Sequence, residues 1–199
     1  MRKYLLILPI AIILIFSVIT VYLSFFGLKT DKFNKLIYFK ISQISPNLLA
    51  EINDVFIRLD VKEQLIKLEA SNIKLQVTSE PLFIDKITFK MSILNFLNKN
   101  KIQSLEISTR EDEITNIKRF ISEYDFNFSR ELILNQIKEG RIKANIFLDF
   151  RDQNEIYNYN IIGKVKGAQI NLLNKGELEN ISFNFKSNQK KHLLNNLKF

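Results

Sequence analysis

The chain has 199 residues, with 29 Lys and Arg against 21 Asp and Glu, a net charge of +8, no Cys, no Trp and one His. The absence of Cys excludes disulfides, thiolate metal sites and a cysteine nucleophile, and the single imidazole of His192 excludes mechanisms that need two histidines. No phosphate-binding glycine loop or serine-nucleophile motif is present. The sequence therefore predicts a protein that is not an enzyme and has no catalytic residue, cofactor or metal site.

The first predicted element is a membrane anchor over residues 1–28. Its uncharged run from Tyr4 to Leu28 would rise about 37 Å as a helix, enough to cross a hydrocarbon core of about 30 Å. The alternative is a cleaved signal peptide, but those have a shorter apolar region and small residues at the cleavage site. Here the bulky Phe25, Phe26 and Leu28 surround Gly27. The short basic N-terminus favours a cytoplasmic start with the bulk of the chain exported.

Residues 29–46 predict a juxtamembrane amphipathic helix. Thr30 or Asp31 can cap its start and Pro46 ends it. The apolar residues recur at helical spacing and are Phe33, Leu36, Ile37, Ile41 and Ile44. This apolar stripe can lie on a membrane surface or pack against the following domain, and the spacing alone favours neither.

From Glu51 the apolar period changes from 3.6 to 2, which is typical of antiparallel strands with one wet and one apolar face. Asn72 and the cluster 79–81 predict turns between such strands, and Ile93–Asn100 predicts a short helical turn. The alternating segments are 51–62, 65–70, 72–77, 85–91, 102–109, 142–150, 158–173 and 178–185.

A helical insertion is predicted around 110–140. Apolar residues at helical spacing follow Thr109, and the acidic run 111–113 would occupy the first turn, where the helix dipole favours negative charge. Ser129 then predicts the N-cap of a second helix that ends at Gly140. The fold class predicted from these elements is mainly β, with an N-terminal transmembrane helix and a curved antiparallel sheet.

A sheet with one apolar face must cover that face. Either a second layer closes an ordinary core, or the sheet curves and leaves its concave face open as a groove for acyl chains. Periodicity does not separate these alternatives. If the groove exists, its predicted lining is Val55, Ile57, Leu59, Ile66, Leu68, Ile73, Leu75, Val77, Ile87, Phe89, Met91, Leu105, Ile107, Ile146, Leu148 and Phe150.

The order of these features resembles the N-terminal part of the AsmA-like family, including the YhdP and TamB type of Gram-negative envelope proteins. The resemblance covers most of residues 1–186 and rests on the anchor, the juxtamembrane helix and the stretches 51–75, 121–140, 140–150 and 159–185. It implies a single-pass inner-membrane protein with a periplasmic β-groove domain over 47–199. Members of the family are usually much longer, so this domain is expected to be truncated at its C-terminus.

The function implied by the resemblance is conduction of phospholipid between the inner and outer membranes, in support of outer-membrane biogenesis. The expected partners are the acyl chains of membrane phospholipids, with other envelope proteins as further candidates. Nucleic acid is not expected, because the lysines are spread along nearly every strand instead of clustering. Two alternatives remain open: a jelly-roll component of lipopolysaccharide export, and a bitopic scaffold or sensor with a closed core that binds a protein partner.

Overall fold

The computed structural model describes residues 2–31, 34, 37–38, 49–76, 81–98, 102–123, 137–150, 156–171 and 176–198. Helix α1 (Arg2–Phe25) opens the chain. Its segment Leu8–Phe25 has a mean hydropathy of 2.5, is not buried within the protein, and is long and apolar enough to cross a membrane. The hydroxyls of Ser17 and Ser24 donate to backbone carbonyls one turn earlier, at 2.9 and 2.7 Å. These bonds satisfy polar groups that would be costly to leave unpaired in hydrocarbon.

The anchor-length helix leads directly into the sheet. Only Phe26 and Gly27 separate α1 from strand β1 (Leu28–Lys29), which pairs antiparallel with the strand that contains Ile57. Gly27 has φ +74°, and a Cβ there would lie 2.8 Å from Cγ of Arg58. Glycine is therefore required at this junction by both its backbone conformation and the close approach of Arg58.

The remaining strands form one antiparallel sheet that is curved and does not close on itself, which confirms the predicted fold class. The strand order is β1-β3-β4-β5-β6-β8-β9-β10-β11, with β2 paired beside β4 and β7 beside β8. The bounds are β2 (Leu49–Glu51), β3 (Asp54–Asp60), β4 (Leu65–Gln76), β5 (Leu82–Ser92), β6 (Ser104–Thr109), β7 (Asp112–Glu113), β8 (Ile137–Phe150), β9 (Ile156–Asn171), β10 (Glu177–Asn188) and β11 (His192–Lys198).

The turn predicted at Asn72 is wrong, because β4 continues through it. Strand β4 pairs with β3 as far as Ser71 and with β2 from Lys74, so Asn72 stands where its neighbour changes. Its φ of +53° is a left-handed conformation that Asn tolerates better than most residues. The tolerance of Asn for this conformation thus serves within strand β4, at the point where its neighbour changes from β3 to β2.

Two details of the helical insertion are also wrong. The acidic run does not form the first turn of a helix, since Asp112–Glu113 form β7 and helix α3 (Ile114–Glu123) begins after them. Gly140 does not end a helix, because Ile137–Gly140 lie in β8, where Ile137 pairs with Ile170 of β9. The rest of the second predicted helix lies outside the described residues.

The predicted juxtamembrane helix is described only in part. Lys29 belongs to β1, while Asn34, Ile37 and Tyr38 are helical and most of 29–46 lies outside the described residues. Ile37 is completely buried in the main apolar cluster, and the Tyr38 hydroxyl accepts a hydrogen bond from the amide of Ile52 at 3.3 Å. Of the two alternatives for this segment, Ile37 therefore follows the second: it packs against the following domain and not on a membrane surface.

The apolar side chains form two clusters on the sheet. The first lies mainly on β2 to β5, and the second lies on β8 to β10 and includes Ile114 of α3. Ile117 packs against both clusters and so joins them. The short helical turn predicted after β5 is confirmed as helix α2 (Ile93–Asn98).

Candidate functional site

The apolar face of the sheet is organised in cross-strand rows that no single strand reveals. Neighbouring strands lie about 4.8 Å apart, so a row across seven strands extends for about 29 Å. One row runs through Ile57, Leu68, Phe89, Leu105, Leu148 and Tyr159. The next row runs through Val55, Ala70, Ile87, Ile107, Ile146, Ile161 and Ser187.

These rows bring together most of the predicted groove lining. A third, shorter row adds Leu59, Ile66 and Met91. Ile73 and Leu75 extend the face along β4, where they pair with Ile84 and Leu82. Val77 lies outside the described residues. The strand register thus brings most of the described members of the predicted lining together on one side of a continuous sheet.

Burial divides this face into a packed part and a half-open part. Over β4 and β5 the side chains are closely packed, with Leu68 1% exposed and Phe89 8% exposed. The buried predicted residues are Val55, Leu68, Ile73, Leu75, Ile87, Phe89 and Met91. The half-buried ones are Ile57, Leu59, Ile66, Leu105, Ile107, Ile146, Leu148 and Phe150. Only the half-buried group can meet a ligand without opening the core.

The face continues beyond the predicted lining into β9 and β10. Val165 pairs with Phe183, and Gly163 pairs with Phe185. A Cβ on Gly163 would lie only 2.3 Å from Cζ of Phe185, so the aromatic ring occupies the space that a side chain would need. The sequence alternates around Ile161 as well, but the predicted groove lining ends at Phe150 and does not include these residues.

The opposite face of the sheet is charged and internally paired over β3 to β6. Glu69 lies 3.4 Å from Arg58 and 3.0 Å from Lys86. Lys67 donates to Asp60 at 2.6 Å. This hydrogen bond lowers the pKa of the Asp60 carboxyl and raises the pKa of Lys67 from their ordinary values. The sheet is therefore amphipathic through its thickness.

A polar depression of about 660 Å³ opens where β7, β8 and β9 meet, with Arg141, Glu113 and Glu139 in its lining. Lys166 donates to Glu111 across it at 2.5 Å, and this bond is the largest cause of the lowered pKa of Glu111. The charges in the depression are of both signs. Within the described part of the chain, no group of three or more His, Asp or Glu side chains is placed to hold a metal.

These features define a class of protein: one N-terminal helix able to span a membrane, joined to a curved open sheet with one apolar and one charged face. Comparisons with protein families, with curated proteins and with solved structures found no match for this chain. The functional argument therefore depends on the geometry of the sheet and its connection to the helix.

Proposed function

We propose that the chain is a non-enzymatic protein anchored in the inner membrane by α1, whose half-buried apolar face shields phospholipid acyl chains on their way between the inner and outer membranes. The observation that carries the proposal is the junction of helix and sheet. Because β1 follows α1 after two residues and pairs with β3, the end of the helix is held at the edge of the apolar face. A lipid leaving the bilayer beside α1 meets that edge first.

The size of the apolar effect supports contact with partly shielded chains. Each methylene removed from water contributes about 0.8 kcal/mol, so six of them contribute about 5 kcal/mol. Ile57 and Leu59 on β3 and Leu105 and Leu148 on β6 and β8 are half-buried, and all can contribute to such shielding. No energy source or reaction is required of the chain, because the proposed contact is passive.

One observation favours a second candidate, a bitopic scaffold or sensor that binds a protein. The side chains over β4 and β5, including Leu68 and Ile73, are packed as in a closed core. If the apolar side chains of β6 to β8 pack in the same way in the functional protein, the face has no space for an acyl chain. The face then serves only to stabilise the fold.

Photo-crosslinking from one strand distinguishes the two candidates. Leu148 and Asp149 both lie in β8, but Leu148 belongs to the apolar row, whereas Asp149 is exposed on the opposite face and pairs with Ser104 and Asn158. A photoreactive residue is introduced at each position in the full chain, in membranes, and adducts are identified by mass spectrometry. Leu68 and Phe89 are less suitable because both are buried.

We expect lipid adducts at position 148 and few at position 149. The mass of the adduct identifies phospholipid or lipopolysaccharide, and so tests the jelly-roll alternative as well. Equal lipid labelling at both positions, or protein adducts without lipid at position 148, would contradict the proposal. The latter result would support the scaffold.

A further inference from the structure

At the end of the sheet far from the anchor, the charged face carries exposed aliphatic side chains beside its lysines. There, β9, β10, the start of β11 and the turn that precedes β11 carry a group of exposed residues. We name this group the far-edge patch: Ile162, Lys164, Lys186, Lys191 and Leu193. Lys186 pairs across the sheet with Ile162 on one side and Leu193 on the other. The two aliphatic side chains are 42% and 45% exposed. A lysine is thus flanked by two exposed apolar groups in one cross-strand row.

Much of the net positive charge of the chain falls in this region, because acidic residues are scarce there. Residues 156–199 contain seven Lys and two Glu, a net charge of +5 out of the +8 of the whole chain. One of the two acids, Glu177, is held by Lys138 and Gln169. Among the described residues, no carboxylate forms an ion pair with Lys164, Lys186 or Lys191.

The contrast with β3 to β6 shows that this arrangement is not a general property of the face. There, Arg58 and Lys86 share Glu69, and Lys90 pairs with Glu106. Lys166, which neighbours the far-edge patch on β9, is likewise neutralised by Glu111. The far-edge patch therefore places a lysine that has no ion pair among the described residues between two exposed aliphatic groups in one cross-strand row.

Lysines beside exposed aliphatic groups are the combination found in protein surfaces that bind at a membrane interface. The lysines are attracted to anionic headgroups, and the aliphatic groups enter the boundary between headgroups and acyl chains. We propose that the far-edge patch binds the surface of an anionic lipid bilayer. Six strand-to-strand steps separate β3 from β10, about 29 Å along the sheet, so this contact is separate from the anchor. The inference is also independent of the proposed groove, since the patch lies on the other face.

The test uses the full chain in nanodiscs of phosphatidylcholine, which offer the patch no anionic lipid. These are mixed with larger vesicles, either of phosphatidylcholine alone or with phosphatidylglycerol added, and co-flotation is measured. We expect binding only to the anionic vesicles, weakening as salt is raised.

Two variants distinguish the effect of the lysines in the patch from the effect of the net charge of the whole protein. Each lysine at an anionic surface is worth about fivefold in partitioning, so K186E/K191E is expected to lower vesicle binding by about 25-fold or more. The control K62E/K74E makes the same charge change at exposed Lys62 and at Lys74, which pairs with the exposed Glu51. It is expected to stay within twofold of the parent.

A second pair of substitutions tests the apolar part. I162S/L193S keeps every charge and is expected to weaken binding to the anionic vesicles at high salt, where the lysines are screened. Far-UV circular dichroism verifies that each variant is folded. No binding to anionic vesicles, an equal loss in K62E/K74E, or self-association in place of vesicle binding would overturn the proposal. None of these results bears on lipid crosslinking at Leu148, so failure of the groove function is recognised separately.

Discussion

Truncation of one leucine in the closely packed part of the sheet tests whether the apolar face is divided into a packed part and a half-open part. Leu68 is 1% exposed in the centre of β4, with Ile57 and Phe89 directly across from it on the two neighbouring strands. Replacement by Ala removes about three carbon groups worth ~0.8 kcal/mol each. The cavity left behind adds to this loss, so we expect Leu68→Ala to lower the free energy of unfolding by about 3 kcal/mol.

Leu148 lies in the same row but is half-buried. It loses less transfer energy and leaves a space that water or lipid can fill, so Leu148→Ala is expected to cost about 1 kcal/mol. Leu94 on α2 is 71% exposed and serves as the matched control. Leu94→Ala is expected to change stability by less than about 0.5 kcal/mol.

The measurement is guanidinium unfolding of the full chain in a neutral detergent, followed by far-UV circular dichroism. The chain has no Trp, so the usual fluorescence probe is lacking, and loss of the sheet is followed instead through its dichroism signal. Shifts in midpoint at constant slope give the change in stability. Equal costs for Leu68→Ala and Leu148→Ala would refute the division into a packed and a half-open part.

Three further outcomes follow from single contacts. Gly163→Ala places a Cβ 2.3 Å from Cζ of Phe185 and should destabilise the protein by about 1–3 kcal/mol in the same unfolding assay; a second substitution, Phe185→Leu, should recover part of that loss. Gly27→Ala is strained by its φ of +74° and should speed hydrogen exchange at the junction between α1 and the sheet while leaving the distant strands unchanged. Because Lys166 lowers the pKa of Glu111 from its ordinary value of 4.5, the pair stabilises the fold above that pH and loses this effect as the pH falls through the lowered pKa. Glu111→Gln should therefore show a smaller loss of stability on acidification, and an unchanged pH profile would contradict the role of this pair.

The features that could be predicted from the sequence are those that depend on local spacing. The uncharged run ending at Leu28 predicts the helix, and the alternation around Leu68 and Phe89 places both on one face of the sheet. The predictions failed where pairing overrides local preference. Ile137–Gly140 have a helical pattern but form ladder bonds with β9, and Asn72 has turn chemistry but lies within β4.

The sequence by itself therefore determined the helix, the mainly β character and, within each predicted strand, which residues share a face. Helical and strand periods depend on residues that are close in the sequence, so they can be recognised without knowledge of the fold. Only the tertiary structure decided that Leu68 is packed while Leu148 is half-buried. It also decided that Glu69 is shared by two cations, while Lys186 forms no ion pair with any acidic residue that the structure describes. Burial and ion pairing depend on residues that the strand register brings together from distant parts of the chain, and that register cannot be read from local spacing.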